Sequence, residues 1–186
     1  FVATANAAIY CGAIVEFVDI DVGTYNMSIE VLREKLVQAK KENKLPKLVV
    51  PVHFSGQSCE MKDIWELSKE YGFKVIEDAS HALGGEYKNK KVGCCEYSHI
   101  TVFSFHPGKM ITTGEGGAIT TNDKDLDEKI KLLRSHGIIR NKEKFKNNND
   151  GDWYYEQQVL GFNYRLSDIQ AALGISQLKR LDSFVL

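Results

Sequence analysis

The stretch Phe105-His106-Pro107-Gly108-Lys109-Met110 places a lysine just behind an apolar run, in a turn shaped by proline and glycine. Lysines usually sit on solvated helix faces. One held away from water is more easily neutral, and a neutral amine is a nucleophile toward an aldehyde cofactor or a carbonyl substrate. Glu77-Asp78-Ala79-Ser80-His81 puts a carboxylate at the end of another apolar run. There it could meet a protonated pyridine nitrogen and keep that ring electron-accepting. Ser104 and the glycines of Thr112-Thr113-Gly114-Glu115-Gly116-Gly117 offer a hydroxyl and unhindered backbone N–H groups, which a phosphate monoester requires. The pattern GxxxxGK[ST] does not occur. Each feature has a plainer reading: a loop lysine can be merely solvated, a strand-end Asp can cap the next turn, and a glycine-rich turn can be only a turn. Their order and spacing set them apart.

The elements that must position these residues alternate between short apolar runs and amphipathic stretches. Ile14–Val18 reads as a strand, as do Lys47–Val52 (with Pro51 near its end), Lys74–Asp78, His99–Phe105 and Ala118–Thr121. Ser28 predicts an N-cap, with Ile29, Leu32 and Leu36 along one helix face. Met61, Ile64, Trp65 and Tyr71 space a second helix, and Leu126, Ile130 and Leu133 a third, from about Asp123 to Arg134. Ser167-Asp168-Ile169-Gln170 matches a capping box at the start of a helix running through Leu181. Strand-helix alternation predicts an α/β fold with a mostly parallel, helix-covered sheet. Ligands bind such sheets at the carboxyl ends of the strands, where Asp78, Ser104 and Lys109 fall. Arg140–Gln158 is polar and reads as a surface loop, or alternatively as a loop that orders over a substrate.

Composition narrows the rest. With 43% hydrophobic and 26% charged residues, the 186-residue chain is ordinary for a globular protein. A net charge of -1 gives no electrostatic reason to expect nucleic acid or an anionic membrane as partner. No apolar run is long enough to span a bilayer, and no leader precedes Phe1, so the chain reads as cytoplasmic. Cys11, Cys59, Cys94 and Cys95 lack the paired spacing of a zinc site and read as structural thiols, with no metal expected. Phe1–Asn6 begins like the inside of a structural unit, and 183–186 ends apolar, so an internal piece of a longer protein is expected.

Taken together, Asp78-Ala-Ser-His81-Ala-Leu-Gly and Phe103-Ser-Phe-His-Pro-Gly-Lys109-Met-Ile-Thr-Thr-Gly-Glu-Gly-Gly117 closely resemble the DegT/DnrJ/EryC1/StrS family of sugar aminotransferases. So do Phe1-Val-Ala-Thr-Ala-Asn6, Arg134-Ser-His-Gly137, Gly161-Phe-Asn-Tyr-Arg165 and Ala171–Leu178. The resemblance covers essentially the whole chain. It implies a fold type I, aspartate aminotransferase-like large domain and pyridoxal 5'-phosphate (PLP) as cofactor. Lys109 would carry the cofactor and shuttle a proton. Asp78 would pair with the pyridine nitrogen, Ser104 would bind the phosphate, His81 would stand beside the cofactor, and Phe1 would stack on the ring. Asn163 would reach the phosphate of a neighbouring subunit's cofactor, which implies a homodimer. Residues 1–186 would be the central part of the PLP-binding large domain, without the parent's N-terminal segment or small C-terminal domain.

Ser80–Gly84, Glu86–Gly93 and Ile175–Arg180 further resemble the family members of pseudaminic acid synthesis. That implies amino transfer from L-glutamate to C4 of a UDP-linked 4-keto-6-deoxy-N-acetyl-hexosamine. Other outcomes stay open: another nucleotide-linked ketosugar, such as one of the perosamine type, or a non-catalytic relative used as a binding protein. A family dehydratase with histidine in place of the lysine is disfavoured by Lys109. The aromatic run Trp153-Tyr154-Tyr155 would line a sugar site or pack its own loop, and the sequence assigns no role to His53 or His136.

Overall fold

The computed structural model describes residues 1–147 and 151–185. In chain order the elements are α1 (Ala3–Tyr10), α2 (Ile29–Lys41), β1 (Leu48–Val49), α3 (Met61–Tyr71), β2 (Lys74–Asp78), β3 (Glu86–Tyr87) and β4 (Lys90–Lys91). There follow β5 (Ile100–Ser104), β6 (Gly117–Thr120), α4 (Lys124–Arg134), β7 (Ile138–Ile139), β8 (Glu156–Gln157), α5 (Asp168–Leu178) and α6 (Leu181–Val185). The main sheet has the order β1-β2-β5-β6; its first two pairings are parallel and the last is antiparallel. The mostly parallel α/β architecture expected from strand-helix alternation is what forms.

Local chemistry explains the helix boundaries. The Ser28 hydroxyl accepts from the Val31 N–H at 3.3 Å, and the Asp123 carboxylate accepts from two first-turn N–H groups. At α5 both halves of the Ser167–Gln170 capping box are present. The helix foreseen through Leu181 ends instead at Leu178, and α6 restarts after Lys179-Arg180. α2 and α3 bury Leu32, Leu36, Met61, Ile64 and Leu67 against Val49, Phe73 and Val75, forming the main core on one face of the sheet.

Two strand expectations need correction. Ile14–Val18 is not a strand: among the described residues no ladder pairs with it, although Val18 packs on the core and Ile14 and Phe17 face solvent. An apolar, β-branched run is not enough, because a strand also needs a neighbour to hydrogen-bond. Lys47–Val52 shortens to Leu48–Val49, because Pro51 has no N–H to give the ladder. The chain rejoins the sheet through a parallel bridge between Val52 and Asp78.

Candidate active site at the carboxyl ends of β2 and β5

Alternation along β2 turns Val75 and Glu77 toward the helix-packed core and leaves Ile76 and Asp78 on the other face. The parallel register sets Asp78 opposite Val102, so Ser104, two residues further along β5, lies on the same face as Asp78. Asp78 is half-buried and doubly held. The Thr4 hydroxyl of α1 donates to Oδ2 at 2.5 Å, and the Ser80 N–H donates to Oδ1 at 3.1 Å. Burial opposes the charge on Asp78, but the bonds from Ser80 and Thr4 outweigh it, with help from the nearby His81, and hold the carboxyl below its usual range. Each oxygen keeps a lone pair for a further donor.

Beyond β5 the chain forms a pinned loop. The Phe105 N–H donates to the Gly116 carbonyl, and the Phe105 carbonyl accepts from the Thr113 N–H and the Thr112 hydroxyl. Lys109 is half-buried within that loop, its N–H donating to the His106 carbonyl at 2.9 Å. The Ser104 Oγ accepts from the His106 N–H at 3.4 Å, which leaves its own hydrogen available to a ligand. The glycine-rich turn is closed more tightly than its sequence suggested. The Gly114 N–H is taken by the Thr112 hydroxyl, and a Cβ at Gly117 would stand 2.6 Å from the Phe103 carbonyl oxygen. Close approach of backbone to backbone is what requires glycine there. The Gln170 side chain of α5 donates to the Glu115 carbonyl at 2.9 Å and ties the turn to that helix.

The structure therefore brings Asp78, Ser104, His81 and the Lys109 loop to one end of the sheet. Phe1 lies fully exposed ahead of α1. Asn163 is exposed too and bridged to Ser135, while its neighbours Phe162 and Tyr164 stack on each other with ring centres 4.7 Å apart. Trp153 and Tyr154 pack edge-on, and Tyr154 also meets Phe145, so this part of the polar loop packs on itself. Positions 148–150 of that loop lie outside the described residues. Among the described residues no three His, Cys, Asp or Glu side chains converge as a metal site, and no helix is long and apolar enough to cross a membrane.

Sequence reasoning passed over three residues. Thr4 lies in the Phe1–Asn6 string but was given no role there, and it meets Asp78 only through the fold. Gln170 was read solely as half of a cap. Glu77 was visible: alternation in β2 points it at the core, and a buried carboxylate demands donors. His53 is one of them, at 2.8 Å.

The profile of the DegT/DnrJ/EryC1/StrS aminotransferase family matches residues 1–186. The UDP-4-amino-4,6-dideoxy-N-acetyl-beta-L-altrosamine transaminase of Campylobacter jejuni (serotype O:23/36) is 49% identical over 182 residues, covering 98% of this chain and 44% of its own length. PseC of Helicobacter pylori, an aminotransferase involved in the biosynthesis of pseudoaminic acid, superposes with a TM-score of 0.85 at 41% identity, covering 98% of this chain and 44% of that one. A Streptococcus pneumoniae chain solved in a PLP-form superposes with a TM-score of 0.77 at 25% identity, covering 98% of this chain and 47% of that one. The chain thus spans less than half the length of the relatives it matches.

Proposed function

The chain belongs to the DegT/DnrJ/EryC1/StrS aminotransferase family, and on that premise we propose that it is the central part of the PLP-binding large domain of a longer enzyme. That enzyme transfers the amino group of L-glutamate to C4 of a UDP-linked 4-keto-6-deoxy-N-acetyl-hexosamine. The observation that carries the reading is the placement of Asp78 and Ser104 on one face at the ends of adjacent parallel strands, with Lys109 in the pinned loop that follows.

The donor set fits the cofactor. Asp78 stays ionised and has lone pairs left for a pyridinium N–H. Ser104 has a free hydroxyl hydrogen for a phosphate oxygen, and His81 would stand beside them. Bound there, PLP would supply an electron sink for the carbon that bears the amino group. Lys109 would carry the cofactor and, once released, take the proton from that substrate carbon. The pinning of its loop at Phe105 limits how far the amine can wander. Phe1 would stack on the cofactor ring, and Asn163 would reach the phosphate of a neighbouring subunit's cofactor. The homodimer this requires is supported by exposed apolar side chains around Asn163: Leu160, Phe162, Tyr164 and Ile169. Four free thiols suit a reducing, cytoplasmic setting.

The test uses the full-length protein that contains this chain, purified with PLP. A visible absorption band that L-glutamate bleaches, and a borohydride-fixed adduct that maps to Lys109, are expected. Amination of the UDP-linked 4-ketosugar, read by mass spectrometry, is expected to fall to background in Lys109→Ala. A band and adduct with turnover only on a different nucleotide-linked ketosugar would overturn the substrate. A folded protein without a band would overturn the enzyme and favour a binding protein.

A further inference from the structure

Directly behind Asp78, on the opposite face of the sheet, lies a buried polar network that the proposed chemistry does not use. His53 Nε2 lies 2.8 Å from Glu77 Oε2, and both residues are almost wholly shut off from solvent. The Cys59 N–H donates to His53 Nδ1 at 3.2 Å. That nitrogen is therefore the acceptor, and the ring proton sits on Nε2, facing the carboxylate. The other Glu77 oxygen accepts from Ser98 Oγ at 2.5 Å and Thr101 Oγ1 at 2.8 Å. The acid thus accepts three bonds and donates none. Burial works against its charge, but the bonds from His53, Ser98 and Thr101 prevail and hold its carboxyl below the usual range.

The network also grips Asp78 through the backbone. The His53 N–H donates to the Asp78 carbonyl at 3.1 Å, and the Asp78 N–H donates to the Pro51 carbonyl at 2.9 Å. His53 therefore holds two successive residues of β2, Glu77 by its side chain and Asp78 by its main chain. Past β1 the ladder is interrupted at Pro51, so little else fixes this segment against the end of β2.

We infer that His53 and Glu77 are positioning residues, which set the level of the β2 end so that the Asp78 carboxylate meets the ring nitrogen of the bound cofactor. The inference rests on the PLP reading above. His53 touches no reacting atom; it acts by locking the strand end that presents Asp78. Thr4 and Ser80 then aim the side chain from the open face.

The experiment compares two variants of the full-length holoenzyme loaded with cofactor 15N-labelled in the ring. His53→Leu keeps bulk but removes the donor to Glu77 and the acceptor for Cys59. His53→Gln can supply both. In His53→Leu the ring 15N resonance is expected to move toward the unprotonated position, and the cofactor Kd to rise about tenfold, which is about 1.4 kcal/mol. His53→Gln is expected to restore most of both. If His53→Leu does not fold, Glu77→Gln, nearly the same size without the charge, is expected to move the resonance in the same direction by less. A variant that melts earlier but keeps the wild-type 15N resonance and Kd would overturn the inference and leave the pair as packing alone. If the wild-type protein binds no PLP, the functional reading fails instead, and the two failures are distinguishable.

Discussion

The two faces of the central sheet are built differently. On one, α2 and α3 close over Val49, Phe73 and Val75, and the polar groups that reach in are paired, down to the four hydrogen bonds that join His53, Glu77, Cys59, Ser98 and Thr101. On the other, α1 and α5 bury no residue of their own although both are rich in apolar side chains. Phe1, Tyr10, Leu160 and Ile169 stand almost entirely in solvent there. Stability within these residues therefore resides on the packed face, while Asp78, Ser104 and Lys109 open toward the other. A protein that keeps its rigid core beneath the strand ends and its site above them can alter the site's surroundings without loosening the frame.

The comparison can be broken most directly on the packed face. Ile64 is fully buried between α3 and the sheet. Ile64→Ala should cost about 2–5 kcal/mol in denaturant unfolding, with the residual cavity deciding where in that range it falls. A loss below 1 kcal/mol would mean that this face is not where stability resides.

Acid sharpens the contrast. Glu77 has its carboxyl held below the unfolded value, so its contribution to stability is complete above the unfolded pKa of about 4.3 and is lost as pH falls through the folded one. Denaturant midpoints followed from neutral pH downward should fall less steeply below about pH 4 in Glu77→Gln than in the wild type. Parallel acid limbs would show that Glu77 is not linked to folding.

The smallest effect belongs to the open face. Ile169, at 84% exposure, touches little, and Ile169→Ala in the isolated chain should change stability by no more than about 0.5 kcal/mol. The same substitution should weaken self-association of the full-length protein in sedimentation, if a second copy covers this helix. Unchanged association would remove the support that α5 lends to the proposed homodimer.

Much of this was legible in the residues themselves. Hydrophobic periodicity located α2, α3 and α4, and capping chemistry marked the starts of α2 and α5, because both depend on neighbours a turn away. The order of Asp78, Ser104 and Lys109 indicated a single site, because strand-helix alternation carries successive strand ends to one edge of a parallel sheet. What tertiary structure alone decided is longer in range. Thr4 meets Asp78 across 74 positions, and His53 meets Glu77 across 24. Ile14–Val18 stays outside every ladder among the described residues although its residue types suit a strand. A side chain's own periodicity says which way it points, but the partner it finds depends on the register between strands and the elements that cross them. No local pattern contains that information.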